Sequence, residues 1–115
     1  MIIANRSLQL QQGKTETDVP IRVFAPQPDG NAWSCTYEIG WPGANRRSCG
    51  VGSDSVQALT IALQMIGAEI YTSDFHKSGV LSWGNSKNGE SWKGYGFPVS
   101  NSLRDLLVGD DAKYL

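Results

Sequence analysis

The sequence predicts an α+β fold: a mostly antiparallel, curved sheet of about five or six strands packed on one long helix, with a short C-terminal helix. Three observations predict it. Apolar and polar residues alternate through most of the first half of the 115-residue chain. Residues 54–73 carry apolar side chains at three- and four-residue steps. Strand-like segments otherwise follow one another, giving the order β-β-β-β-α-β-β-α instead of the regular strand–helix alternation of a parallel sheet.

The first strand signal, Ser7–Gln11, sets Leu8 and Leu10 on one face, and the second, Val19–Ala25, aligns Val19, Ile21 and Val23. The polar stretch Gln11–Asp18 reads as the loop between them. Pro26-Gln-Pro-Asp-Gly-Asn31 reads as a turn, with proline fixing φ and glycine supplying positive φ. Trp33–Trp41 is the strongest strand: Trp33, Cys35, Tyr37, Ile39 and Trp41 alternate with Ser34, Thr36, Glu38 and Gly40. Pro42-Gly-Ala-Asn45 then turns the chain into Arg46–Gly52, where Arg47, Cys49 and Val51 share a face. Burial favours a register that puts both thiols on the core face; a one-residue slip would expose Cys49.

Asp54–Ser73 is the long helix. Val56, Leu59, Leu63, Ile66 and Ile70 form its stripe, Asp54 caps it, and Gln57 reaches back. Ala58, Ile61, Ala62 and Met65 widen the apolar surface, which calls for a curved sheet around the helix or a partner on its second face. Val80–Ser86 and Ser91–Phe97 flank Asn88-Gly89, a hairpin signal. That hairpin makes Trp83 and Trp92 diagonal neighbours and lays Trp83 over Gly94. A short helix over Ser102–Val108 aligns Leu103, Leu106 and Leu107, with Asn101 as its cap and Gly109 as its end.

Length fits a single domain over residues 1–115. Charged residues are 18% of the chain, below the roughly 25% usual for globular proteins, so the surface leans on Ser, Asn, Gln and Gly. A net charge of −1 shows none of the basic excess of a nucleic-acid binder. No apolar run is long enough to span a bilayer, so no membrane partner is expected. The two cysteines and an N-terminus unlike a leader predict a cytoplasmic protein with reduced thiols.

The chemical motifs fall short. Gly84–Ser91 is spaced like a phosphate loop, but Glu90 stands where lysine should reach the phosphates. Gly94-Tyr-Gly96-Phe-Pro98 begins like a dinucleotide fingerprint, but Val99 replaces the third glycine. His76, the only histidine, reads as a solvated loop residue. With Asp74 and a cysteine it would make a catalytic set only if the thiols were not buried. Two cysteines and one histidine do not make a zinc set. Nothing pairs Glu38 with Glu69 for acid–base work. No catalytic residue, metal or cofactor is therefore predicted. Arg6, Arg22, Arg46 and Arg47 fall on strands, and Arg47 points inward to stack on Trp41 or Tyr37 or to pair with a carboxylate. Four tryptophans are many for this length, and tryptophan is enriched at interfaces. The candidate binding residues are Arg46, Arg47, Tyr37, Trp41, Trp83, Trp92 and His76.

Ala25-Pro-Gln-Pro-Asp29, Trp33-Ser-Cys-Thr-Tyr-Glu-Ile39, Ser55-Val-Gln-Ala-Leu59 running into Ala62-Leu-Gln-Met-Ile-Gly67, and Gly96-Phe-Pro98 together resemble a family of small bacterial single-domain proteins of unknown function. The resemblance implies bacterial origin and one compact domain, and it carries no activity and no catalytic residues.

The expected function is a non-catalytic binding or regulatory module, acting as a homodimer or on a protein partner. The first alternative is a small-ligand-binding protein or enzyme using the concave sheet face, with Arg46, Arg47, Tyr37, Glu38 and His76 as its residues. The second is an immunity-type protein neutralising a toxin partner, suggested by size and mild acidity.

Overall fold

A computed structural model describes residues 1–84 and 92–115. Strands β1 (Ile2–Gln12) and β2 (Thr15–Phe24) pair antiparallel through a tight turn at Gly13 and Lys14. The expected loop over Gln11–Asp18 therefore shrinks to two residues, because Gly13 at φ 62° reverses the chain at once. Strand β3 (Gln27–Asp29) lies inside the expected turn at 26–31, and β4 (Ala32–Trp41) follows it. On one edge β4 meets β3 and then β2; on the other it meets β5 (Ala44–Gly52) along almost its whole length. After helix α1 (Ser55–Tyr71) and the short α2 (Asp74–Lys77), β6 (Leu81–Trp83) returns to pair with β1. The result is an open antiparallel sheet of six strands with α1 against it, an α+β fold.

Helix α1 starts as its sequence requires. Asp54 Oδ1 accepts from Gln57 N at 2.8 Å, and Gln57 Oε1 accepts from Ser53 N at 2.6 Å. Its buried line is Ala58, Ala62, Ile66 and Ile70, a strict four-residue stripe. Leu59 and Leu63 sit on its flank, and Val56 is 70% exposed. Small residues face the sheet because α1 comes down on glycine. A Cβ at Gly50 would stand 2.4 Å from Ala62 N, and one at Gly52 would stand 2.6 Å from Ala58 N.

That contact fixes the β4–β5 register, which differs from the expected one. Cys35 pairs with Gly50, and Thr36 with Cys49. Cys35 is buried and Cys49 is exposed, so the two thiols do not share the core face. The alternative register would push Arg47, Cys49 and Val51 under α1, where even one methyl group has no room. Val51 is accordingly half exposed.

The C-terminal region departs most from expectation. The Asn88-Gly89 turn and Glu90 lie outside the described residues. Residues 92–100 contain no strand, and β6 ends at Trp83. The expected helix at Ser102–Val108 is instead a 3-10 turn over Asn101–Leu106. Gly109 does not end a helix. It opens α3 (Gly109–Tyr114) at φ 57°, where a Cβ would stand 2.4 Å from that of Lys93. Among the described residues no helix is long and apolar enough to cross a membrane.

Two outcomes follow from the glycine contact. Gly50→Ala should cost at least about 3 kcal/mol in urea unfolding, since backbone has to move, while Cys49→Ala on the opposite face should stay within about 0.5 kcal/mol. In the native protein a thiol reagent should modify Cys49 at once and Cys35 only as fast as the chain unfolds. Rapid double labelling would refute the register.

Candidate functional site

The site grows around a side chain that nothing in the sequence singles out. Asp111, on α3, is fully buried. Its carboxylate accepts from the Tyr71 hydroxyl, from Trp92 Nε1 at 2.5 Å, and from Tyr95 N and Gly96 N at 2.8 Å each. Gly94, at φ 115°, leaves the room this needs: a Cβ there would stand 2.5 Å from Asp111 Cγ. Beside it, Asp110 Oδ2 accepts from Lys93 N at 2.6 Å. A buried carboxylate is stable only when its oxygens are filled. Here all the donors but Tyr71 come from a segment without regular structure, so the two aspartates do for residues 93–96 what a neighbouring strand would otherwise do.

His76 belongs to the same cluster and is not the solvated loop residue expected. Ser73 caps α2, its hydroxyl accepting from His76 N at 3.1 Å. The imidazole turns inward, with Nδ1 2.5 Å from the Tyr95 hydroxyl and the ring edge-on to Tyr71 and Tyr95. Burial pulls the imidazole below its ordinary pKa. Burial and the Asp111 charge push the Tyr95 phenol up to about 12. Burial, then the hydrogen bond to Asp111, holds Tyr71 higher still. Near neutral pH these groups are uncharged and engaged with one another.

Arg6 closes the cluster on the β1 side. Its Nη1 donates to Tyr95 O at 3.1 Å and to Gly96 O at 3.0 Å. The guanidinium carbon lies 3.8 Å from the Trp83 ring centroid and 4.8 Å from that of Phe97, contacts that suit a weakly hydrated planar cation. Trp83 covers Gly96, where a Cβ would stand 2.6 Å from its ring, and not Gly94 as expected. Trp83 and Trp92 do meet, with centroids 6.1 Å apart, and Trp92 continues to Tyr114 at 5.6 Å. Next to Arg6 a slot of about 170 Å³ opens between α1, β1 and β2, walled by Ala4, Val23, Leu63, Phe97 and Pro98.

The remaining candidates lie elsewhere. Tyr37 is buried on the helix side, its hydroxyl donating to Glu69, which also takes Arg46 Nε at 2.7 Å. Glu69, for which the sequence offers no role, is the acceptor that ties α1 to the β5 edge. Burial and Glu69 push Tyr37 up to about 12. Arg47 is not inward. The register turns it to the opposite face, 3.4 Å from Glu38 and over the Phe24 ring. Trp41 stacks on Phe75 at 5.4 Å. The fold thus joins His76, Trp83 and Trp92 in one cluster and separates Arg46 from Arg47. In the sequence Arg6 is only one strand arginine among several, and Asp111 gives no signal, being one acid in a short polar tail.

Comparison with known proteins adds one finding. Residues 4–99 match the model of a family described as a domain of unknown function, DUF6968. No curated protein and no solved structure matches.

The cluster makes two measurable demands. Asp111→Asn should cost at least about 3 kcal/mol, because more than one buried donor loses its acceptor at roughly 1–3 kcal/mol each; an unchanged urea midpoint would refute the hub. The folded-state pKa of His76 is depressed by burial. Its contribution to stability is therefore present above its unfolded value of about 6.5 and is lost as pH falls from there through the lower folded-state value. His76→Gln should flatten the stability–pH curve on the acid side of that point.

Proposed function

The chain belongs to that family, and from this premise we propose that it is a non-catalytic binding module whose site is the slot beside Arg6. One observation carries the proposal: a half-buried guanidinium stands against an apolar slot with no carboxylate in contact among the described residues. Binding sites commonly combine such an apolar lining with a few placed polar groups. The interior titratable groups, by contrast, are engaged with each other. Asp111 holds four donors, His76 holds Tyr95, and Glu69 holds Tyr37 and Arg46. Asp111 so engaged has no lone pair aimed at a substrate, and the His76 nitrogen that faces inward is spent on Tyr95. The proposal also places the module in a bacterial cytoplasm, where an exposed free thiol such as Cys49 stays reduced.

Benzyl alcohol is a suitable first probe, being apolar, uncharged and about the size of the slot. In an amide NMR titration it should shift Ala4, Val23, Leu63 and Phe97 with millimolar affinity. Ala4→Phe, which fills the slot from an exposed position, should abolish the shifts. A titration that leaves these amides unmoved would remove the proposal.

A further inference from the structure

Arg6 is bound in a way that leaves one edge of its guanidinium unused. A guanidinium carries five N–H donors in a planar fork. Both on Nη1 are taken, by Tyr95 O and Gly96 O, and among the described residues Nε and Nη2 donate to nothing. Trp83 and Phe97 flank the group, so that it cannot swing freely. The Nε–Nη2 edge is the one that receives a carboxylate through two parallel hydrogen bonds. Among the described residues no acid supplies one. Asp111, whose charge Arg6 feels, spends its oxygens on Tyr71, Trp92, Tyr95 and Gly96. Burial accordingly pulls the arginine below its ordinary pKa, with Asp111 only partly opposing it, and an anion bound at the free edge would relieve that cost.

The slot sets the rest of the ligand. Its volume of about 170 Å³ is close to the roughly 150 Å³ of a dry cavity that takes one benzene ring, and well under the 300 Å³ at which drug-sized sites begin. Leu63, Val23, Phe97 and Pro98 give it apolar walls.

We propose that the slot takes a carboxylate carried on a small apolar body, one aromatic ring or a short alkyl chain, with the carboxylate on the Nε–Nη2 edge of Arg6. This rests on the binding-module reading and adds the ligand's chemical class. Two sources share the chemistry: a free aryl or short-chain acid, and the C-terminus of a peptide ending in an apolar residue.

The test compares phenylacetate with 2-phenylethanol, and a tripeptide ending in phenylalanine with its C-terminal amide, by NMR titration of the whole chain. Phenylacetate should bind at least about tenfold tighter than the alcohol, and Arg6→Gln should erase that preference while leaving alcohol binding in place. Arg6 also holds the fold, so Ala4→Phe provides a second variant with the arginine's partners intact; it should abolish binding of acid and alcohol alike. Preference for the free-carboxylate peptide over phenylacetate would support a peptide terminus as source, and the reverse a free acid. Equal affinity for acid and alcohol would overturn the carboxylate assignment while the binding module stands. No binding of either would overturn both. Acid binding that survives Ala4→Phe would place the anion elsewhere and overturn the assignment.

Discussion

The backbone of α1 rests on two glycines of β5. Helix–sheet packing usually interposes side chains on both partners; here Gly50 and Gly52 remove one layer, and Ala58 and Ala62 thin the other. Much else follows from that approach. The register of β5 is set by which residues have no side chain, so Cys49 and Arg47 face outward although their strand positions share a face with Val51. Arg46, one residue over, reaches the helix side and meets Glu69. The two arginines also serve the edge itself, since charged side chains on an outer strand discourage pairing with other chains. Among the described residues β5 pairs only with β4, so this edge is one that needs such protection.

With α1 held over β4 and β5, the inner face of β1 and β2 has to be covered by something else. The irregular segment Tyr95–Val99 does this with Tyr95, Phe97 and Val99, all buried. A segment without a strand's ladder keeps its shape only if its N–H and C=O groups find partners, and Asp111 and Arg6 provide two each. Gly67 lets α1 meet that segment closely, for a Cβ there would run into Pro98 O. The slot is the gap left between these two coverings, bounded by Leu63 of the helix and Phe97 of the segment.

The parts legible in the sequence are those set by local chemistry. The Asp54 cap, the reach of Gln57 and the alternation of β2 and β4 can each be read within a few residues, and each is found. The register of β5 could not be read that way. Apolar Cys49 and Val51 argue for one face, and only the helix's close approach argues for the other. The helix stripe misled for the same reason: Val56 and Leu59 are the larger residues, but alanine is what fits above glycine. Asp111 was illegible on different grounds. A buried carboxylate is defined by its donors, and its donors here come from two other stretches of chain, Tyr71 of the helix and residues 92–96. Arg6 was visible as a strand arginine, but its meaning depends on Tyr95 and Gly96, about ninety residues away.

Those two residues carry the last connection. Tyr95 and Gly96 give their N–H groups to Asp111 and their C=O groups to Arg6. The peptide unit between Tyr95 and Gly96 is thus aligned between a half-buried cation on its C=O and a buried anion on its N–H, and each charge reinforces the dipole that holds the other. The anion is saturated by this arrangement and, among the described residues, the cation is not. Neutralising the anion would therefore loosen the segment that positions Arg6. Neutralising the cation's free edge from outside would leave every existing bond in place. This asymmetry separates a residue that holds the fold from one that has capacity left to hold a ligand. Asp111 and Arg6, though they grip the same two residues, fall on opposite sides of it.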